Sequence, residues 1–215
     1  MPRPDRSIAL LLTLLLAGPA FATDADSNRA AALADLADTD GDGVADVVEL
    51  ASPDGPDADA DGWQDHLQPD RVALPIPEGG LRGRSNYVTM DGGATRGAPA
   101  AGCGGFDDVR FVDFSEIPVS PPARLLPALD GVLSIRIADC PWFPLRLTLP
   151  SLGVPVEKLV FFAYGAGPDD SLPAWHRLPA AADHDRATLL LQDGGVGDLG
   201  AAGDLHYRIA VMRER

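Results

Sequence analysis

The sequence predicts a mainly β fold, an antiparallel β-sandwich preceded by a small acidic module with short helical turns. Three observations carry that expectation. Short apolar runs alternate with Pro- and Gly-containing segments from Arg71 onward. Two of these runs, Ser134-Ile135-Arg136-Ile137 and Leu145-Arg146-Leu147-Thr148-Leu149, alternate between polar and apolar residues, the period of a strand with one buried face. The acidic residues gather ahead of the runs: fourteen lie between Thr23 and Asp70, against Arg29 as the single base.

The first residues read as a targeting segment. Arg3 and Arg6 make a basic start, Ile8 to Ala17 an apolar stretch, and Ala20-Phe21-Ala22 a small-residue cleavage site. The apolar stretch is short for a bilayer span. Residues 1–22 are therefore expected to be removed, leaving a chain that begins at Thr23. No Cys stands at the cleavage site to take a lipid, and no later apolar run is long enough to span.

Residues 24–70 are expected to form the acidic module. Asn28 to Ala37 is alanine-rich and helix-compatible, with Leu33 and Leu36 on one face. Val47 to Ala51 suits one further helical turn, whereas Ser52-Pro53-Asp54-Gly55-Pro56 cannot be helical. The sandwich is expected over 80–212. Its strands are read at Ser85–Met90, Val109–Phe114, Val132–Ile137, Leu145–Leu149, Lys158–Tyr164, Ala187–Leu191 and His206–Val211. Leu159 to Ala163 is apolar throughout and suits a strand buried on both faces.

The net charge of -15 is concentrated, with -13 of it between Thr23 and Asp70. Such a block repels itself unless cations neutralise it. The acidity argues against nucleic acid and anionic lipid as partners, because both require basic surfaces. Cys103 and Cys140 are read as one disulfide of an oxidising compartment. Closing a loop of about 38 residues stabilises by roughly 3 to 4 kcal/mol in the chain-entropy account.

Within the acidic block two segments repeat one pattern. The first runs Asp38-Thr39-Asp40-Gly41-Asp42-Gly43-Val44-Ala45-Asp46-Val47-Val48-Glu49, the second Asp57-Ala58-Asp59-Ala60-Asp61-Gly62-Trp63-Gln64-Asp65. Carboxylates at positions one, three and five surround one centre, and the glycine at six permits a sharp turn. The carbonyl at seven and an acid at twelve then complete an oxygen shell for calcium. In the first loop Asp38, Asp40, Asp42 and Glu49 are the expected side-chain ligands, Val44 gives the carbonyl, and Asp46 at position nine binds directly or through water. In the second, Asp57, Asp59, Asp61 and Asp65 match and Trp63 gives the carbonyl. Position twelve there is the neutral Gln68, so weaker binding or help from Asp70 is expected. Mg2+, which demands tight octahedral geometry, fits either loop less well.

These loops resemble bacterial thrombospondin type 3-like, EF-hand-like calcium repeats, which follow one another without full flanking helices. Three later segments, Leu147-Thr-Leu-Pro150-Ser-Leu, Leu159-Val-Phe-Phe-Ala-Tyr164-Gly and Leu189-Leu-Leu-Gln-Asp193-Gly-Gly-Val-Gly-Asp198, resemble the bacterial choice-of-anchor U type domain. That resemblance implies a β-rich surface module and implies no activity. The pattern's usual hydrophobic or sorting tail is not matched at Met212-Arg-Glu-Arg215, so a soluble periplasmic or extracellular protein is expected.

Asp193 to Asp198 reads as a Gly-rich turn between strands, with calcium binding as its alternative. His184, between Asp183 and Asp185, and the scattered His66, His176 and His206 lack a GxSxG, HExxH, P-loop or Cys-His signature. Trp142, Trp175, Phe161 and Phe162 read as core or sheet-surface residues. The sequence thus points to an exported, non-enzymatic, calcium-binding protein of structural or adhesion type. A surface protein or glycan is its expected partner, and a secreted or periplasmic calcium-dependent hydrolase is the alternative.

Overall fold

A computed structural model describes residues 37–57, 61–77, 87–92, 103–150, 152–167 and 172–214, all within one compact unit, Leu36–Arg215. The expected targeting segment, most of the Asn28–Ala37 stretch, Asp59 and Ser85 lie outside the described residues. The expected β-sandwich is what forms. Among the described residues eleven strands make two antiparallel sheets. The five-stranded sheet has the order β1 (Arg71–Pro75), β2 (Tyr87–Asp91), β6 (Trp142–Thr148), β10 (Arg186–Gln192), β9 (Ala180–Asp183). The other sheet runs β3 (Phe106–Val112), β5 (Val132–Ile137), β11 (Leu205–Glu214), β7 (Leu159–Gly165), β8 (Ala174–Leu178), with the short β4 (Leu125–Pro127) pairing β11.

Residue pattern explains the layers. β10 and β6 bury every second side chain, so Ala187, Leu189 and Leu191 meet Phe143, Leu145 and Leu147 on the inner face. Opposite them, Ile135, Ile137, Phe161, Tyr207 and Ile209 of the six-stranded sheet complete one inter-sheet core. Each such side chain contributes about 1.5–3 kcal/mol on burial. β7 is buried at all seven positions. Its second face packs into a separate cluster with Val132, Ala210 and Met212, roofed by Phe114, Ile117 and Leu125. The roof begins at a capping box, in which Asp113 accepts from the Ser115 amide at 2.7 Å and Glu116 accepts from the Asp113 amide at 3.1 Å. It is fastened by the Trp175 indole N–H, which donates to the Val119 carbonyl at 2.6 Å.

Cys103 and Cys140 form the expected disulfide. It joins the segment entering β3 to the turn through which the chain passes from β5 of one sheet to β6 of the other. β1 falls between the two ranges read from the sequence, and it is the strand that receives the acidic loops. The backbone carbonyl of Asp42 accepts from the Val109 amide of β3 at 3.1 Å, and Val44 is buried in the inter-sheet core. Gly43 has φ +89, and a Cβ there would lie 3.0 Å from the Asp108 Cα. Only glycine meets both conditions, the left-handed backbone and the close approach to β3.

Candidate metal centre

Among their described residues the two acidic loops share backbone hydrogen bonds as well as a sequence pattern. In the first, the Asp46 amide donates to the Ala37 carbonyl at 2.9 Å; in the second, the Asp65 amide donates to the Pro56 carbonyl at 2.7 Å. Gly43 N–H reaches Asp38 Oδ2 at 3.1 Å, and Gly62 N–H reaches Asp57 Oδ2 at 3.0 Å. Val44 N–H donates to Asp42 Oδ1 at 2.7 Å, and Trp63 N–H to Asp61 Oδ1 at 2.8 Å. Each loop then enters a single turn, α1 (Asp46–Glu49) in the first and a 3-10 turn over Asp65–Leu67 in the second. Asp at position one thus folds each loop by accepting backbone N–H with both oxygens, whereas Asp42 at position five folds the first loop with Oδ1 and leaves Oδ2 without a donor.

In the first loop the carboxylates of Asp38, Asp40 and Asp42 offer ligand oxygens that all lie within 4.8 Å of one another. Asp42 is 0% exposed and Glu49 2% exposed. Both oxygens of Asp40, Oδ2 of Asp42 and Oε2 of Glu49 are buried without a hydrogen-bond partner. Buried carboxylate oxygens without a donor cost several kcal/mol each in real proteins. The electrostatics register this. Burial pushes the Asp40 carboxyl up to about 7, with the Asp38 carboxylate adding to it. Burial and then the charge of Asp40 push Asp42 up to about 8. Glu49 reaches about 9, through burial first and then Asp42 and Asp40, with Asp65 of the second loop contributing. Glu49 uses its other oxygen, Oε1, to accept from the Ala73 amide of β1 at 3.2 Å.

An all-oxygen set of carboxylates converging in this way fits a hard cation and none of the soft metals. Asp38, Asp40 and Asp42 of the expected set are therefore brought together, while Glu49 lies outside that group yet close enough to feel the charges of Asp42 and Asp40. Asp46 is not aimed at that group. Its carboxylate accepts from the backbone N–H and the hydroxyl of Thr39, both at 2.7 Å, and these bonds hold its carboxyl below the usual range.

In the second loop Asp57 and Asp61 take the corresponding places, Asp65 is buried and Trp63 is largely exposed. Gln68 is buried, with its Nε2 3.5 Å from Asp61 Oδ1 and its Oε1 unpartnered. Asp70 is buried too. Sequence reasoning missed the ion-pair cluster beside these loops, in which Asp91 of β2 meets Arg71 at 3.4 Å and Arg146 at 2.6 Å. The three are far apart in the chain, so only the β1–β2–β6 pairing brings them together.

The other candidates resolve as structural groups. Asp198 accepts from the amides of Gly194, Gly200 and His206, and Asp193 from that of Gly203, as the turn reading of the Gly-rich stretch expects. His184 stands at the exposed β9–β10 corner with φ 54. Phe161 and Phe162 are core residues, and Trp142 is an exposed residue of the five-stranded sheet's outer face. Compared with family models, with curated proteins and with solved structures, the chain finds no match.

Proposed function

We propose that this chain is an exported calcium-binding protein of structural or adhesion type, in which calcium fastens an acidic module resembling thrombospondin type 3-like repeats to a β-sandwich. The observation that carries the reading is the group of Asp38, Asp40 and Asp42 carboxylates, with unpartnered buried oxygens on Asp40, Asp42 and the neighbouring Glu49. A divalent cation there converts mutual repulsion into shared coordination, so its binding free energy becomes folding free energy. The Cys103–Cys140 disulfide is compatible with an oxidising compartment. Among the described residues no helix is long and apolar enough to cross a membrane. The role is mechanical rather than catalytic: the loaded loops hold β1 and β3 in place while the sandwich meets a surface protein or glycan.

The test is a calorimetric calcium titration of residues 23–215, repeated with Asp40→Ala and Asp59→Ala. Two saturable sites, each lost with its own variant and each raising the thermal midpoint, are expected. A chain that takes up no calcium at millimolar concentration overturns the reading, since loops this open bind extracellular calcium in roughly the 0.1–1 mM range.

A further inference from the structure

The outer face of the six-stranded sheet carries a cationic cluster that the calcium reading does not use. Strand register places Arg110, Ser134 and Arg208 side by side in one row across β3, β5 and β11. The next row on the same face is Asp108, Arg136 and His206. The rows meet where Ser134 Oγ lies 3.4 Å from His206 Nε2. Asp108 is the one acid in these two rows, and it is committed to Arg110 at 3.0 Å. Among the described residues no carboxylate lies within ion-pair distance of Arg136 or Arg208. The Arg208 Nε is buried without a hydrogen-bond partner, and Ser134 beside it is 1% exposed. Burial, then the positive field of Arg208 and of Arg136, holds the His206 imidazole below its usual range, against the smaller pull of Asp108 and Asp198.

Like charges on neighbouring strands destabilise a sheet. Here they persist on a chain whose net charge is -15. We propose that Arg136, Arg208 and His206 form a binding site for a small oxyanion, the sulfate or carboxylate group of an acidic saccharide or the same group as a free ion. Guanidinium groups present planar N–H forks that match such oxyanions, and Ser134 adds a hydroxyl beside them. The site is local. Three strands at about 4.8 Å spacing put Arg208 roughly 10 Å from β3, about one Debye length at physiological salt, so the acid loops beyond β3 are screened from it. A long polyanion such as a nucleic acid would have to run over those loops and is disfavoured. The proposal stands on the sheet's own residues and does not depend on calcium.

The experiment follows the His206 ring and the arginine Nε resonances by NMR in calcium-containing buffer at constant ionic strength. Sodium sulfate and a uronate-containing tetrasaccharide are titrated separately. Saturable shifts confined to His206, Arg136 and Arg208 are expected, weakened roughly tenfold or more by Arg136→Gln and again by Arg208→Gln, as the loss of a charge-assisted contact implies. Arg186→Gln, on the other sheet, should leave them unchanged. Tighter binding of the saccharide than of sulfate identifies a glycan as the source, and equal binding a free ion. Shifts that never saturate, or that persist in the folded Arg136→Gln/Arg208→Gln double variant, overturn the proposal; a near-UV spectrum like the parent's certifies that variant's fold.

Discussion

In the first loop position nine, Asp46, turns back onto Thr39 and position twelve is a buried carboxylate, Glu49; in the second, position nine is the buried Asp65 and position twelve the neutral Gln68. Beneath that exchange the described residues share a set of backbone bonds. The position-nine amide closes each loop on the residue before it, and the position-six and position-seven amides fold onto the carboxylates at one and five. A Gly-Asp backbone template is thus separable from the side chains that set charge at the centre. The difference also shows how the loops communicate: Asp65 of the second lies close enough to raise the Glu49 carboxyl of the first. A cation in either loop therefore relieves repulsion felt in both.

The largest effect should come from the first loop's buried acid. Asp42→Asn keeps the shape and an oxygen, yet removes a charge from a side chain that is itself wholly buried. Calorimetry should show the first site weakened about 100-fold, the scale of one charge-assisted interaction in a low-dielectric site. The second site should keep most of its affinity. Hydrogen exchange at the Ala73 amide, held by Glu49, should accelerate in the same variant at limiting calcium.

The next effect is one of pH. The carboxyls of Asp40, Asp42 and Glu49 rise from 3.8, 3.8 and 4.5 to about 7, 8 and 9 in the folded chain without a cation. The native state then binds more protons than the unfolded state, so its stability falls as pH rises through that window. Thermal midpoints in EDTA should accordingly drop by several degrees between pH 5 and pH 9. With saturating calcium the trend should reverse, because deprotonated ligands bind the metal better. A midpoint in EDTA that rises over the same interval would sink the description of this centre.

Much of this was legible in the chain, and the reasons differ by element. Val132–Ile137 contains the alternating run Ser134 to Ile137 and is bounded by turns, so its strand appears where the pattern puts it. β7 was readable as doubly buried because no polar residue interrupts Leu159 to Ala163. Four strands gave no such signal. β1 begins on a buried arginine and ends on a proline. β4 has three residues and lies on the roofed face. β8, Ala-Trp-His-Arg-Leu, has no alternation, and β9, Ala-Ala-Ala-Asp, is wholly exposed and composed of helix formers. Only tertiary pairing makes strands of these. At the site, spacing anticipated the grouping of Asp38, Asp40 and Asp42, since loop contacts are local. The Glu49–Ala73 bond and the Arg71–Asp91–Arg146 cluster depend on partners distant in sequence, which no local pattern reports.

A charge change in the second loop sharpens the comparison further. Gln68→Glu gives that loop the acid which the first already has, at a position that is 4% exposed. Without calcium the variant should be less stable than the parent, since it adds a buried carboxylate and gives up the amide contact to Asp61. With calcium its second site should bind about tenfold tighter and approach the first. Thermal scans with and without calcium test both signs at once. Stabilisation in EDTA would mean that Gln68 does not face the acids.

The smallest effect is expected at position nine of the first loop, where Asn replaces Asp46. Asn keeps one acceptor for the Thr39 amide and hydroxyl, so the bracket that closes the loop weakens without opening. The carboxylate lies outside the Asp38, Asp40 and Asp42 group, so calcium should lose only a long-range attraction or a water-mediated contact. Calorimetry should register a change of about threefold at most in the first site, well short of Asp42→Asn. A loss as large as that of Asp42→Asn would mean that Asp46 swings inward on loading. The two loops would then present position nine alike, and Gln68 against Glu49 at position twelve would become the whole difference between them.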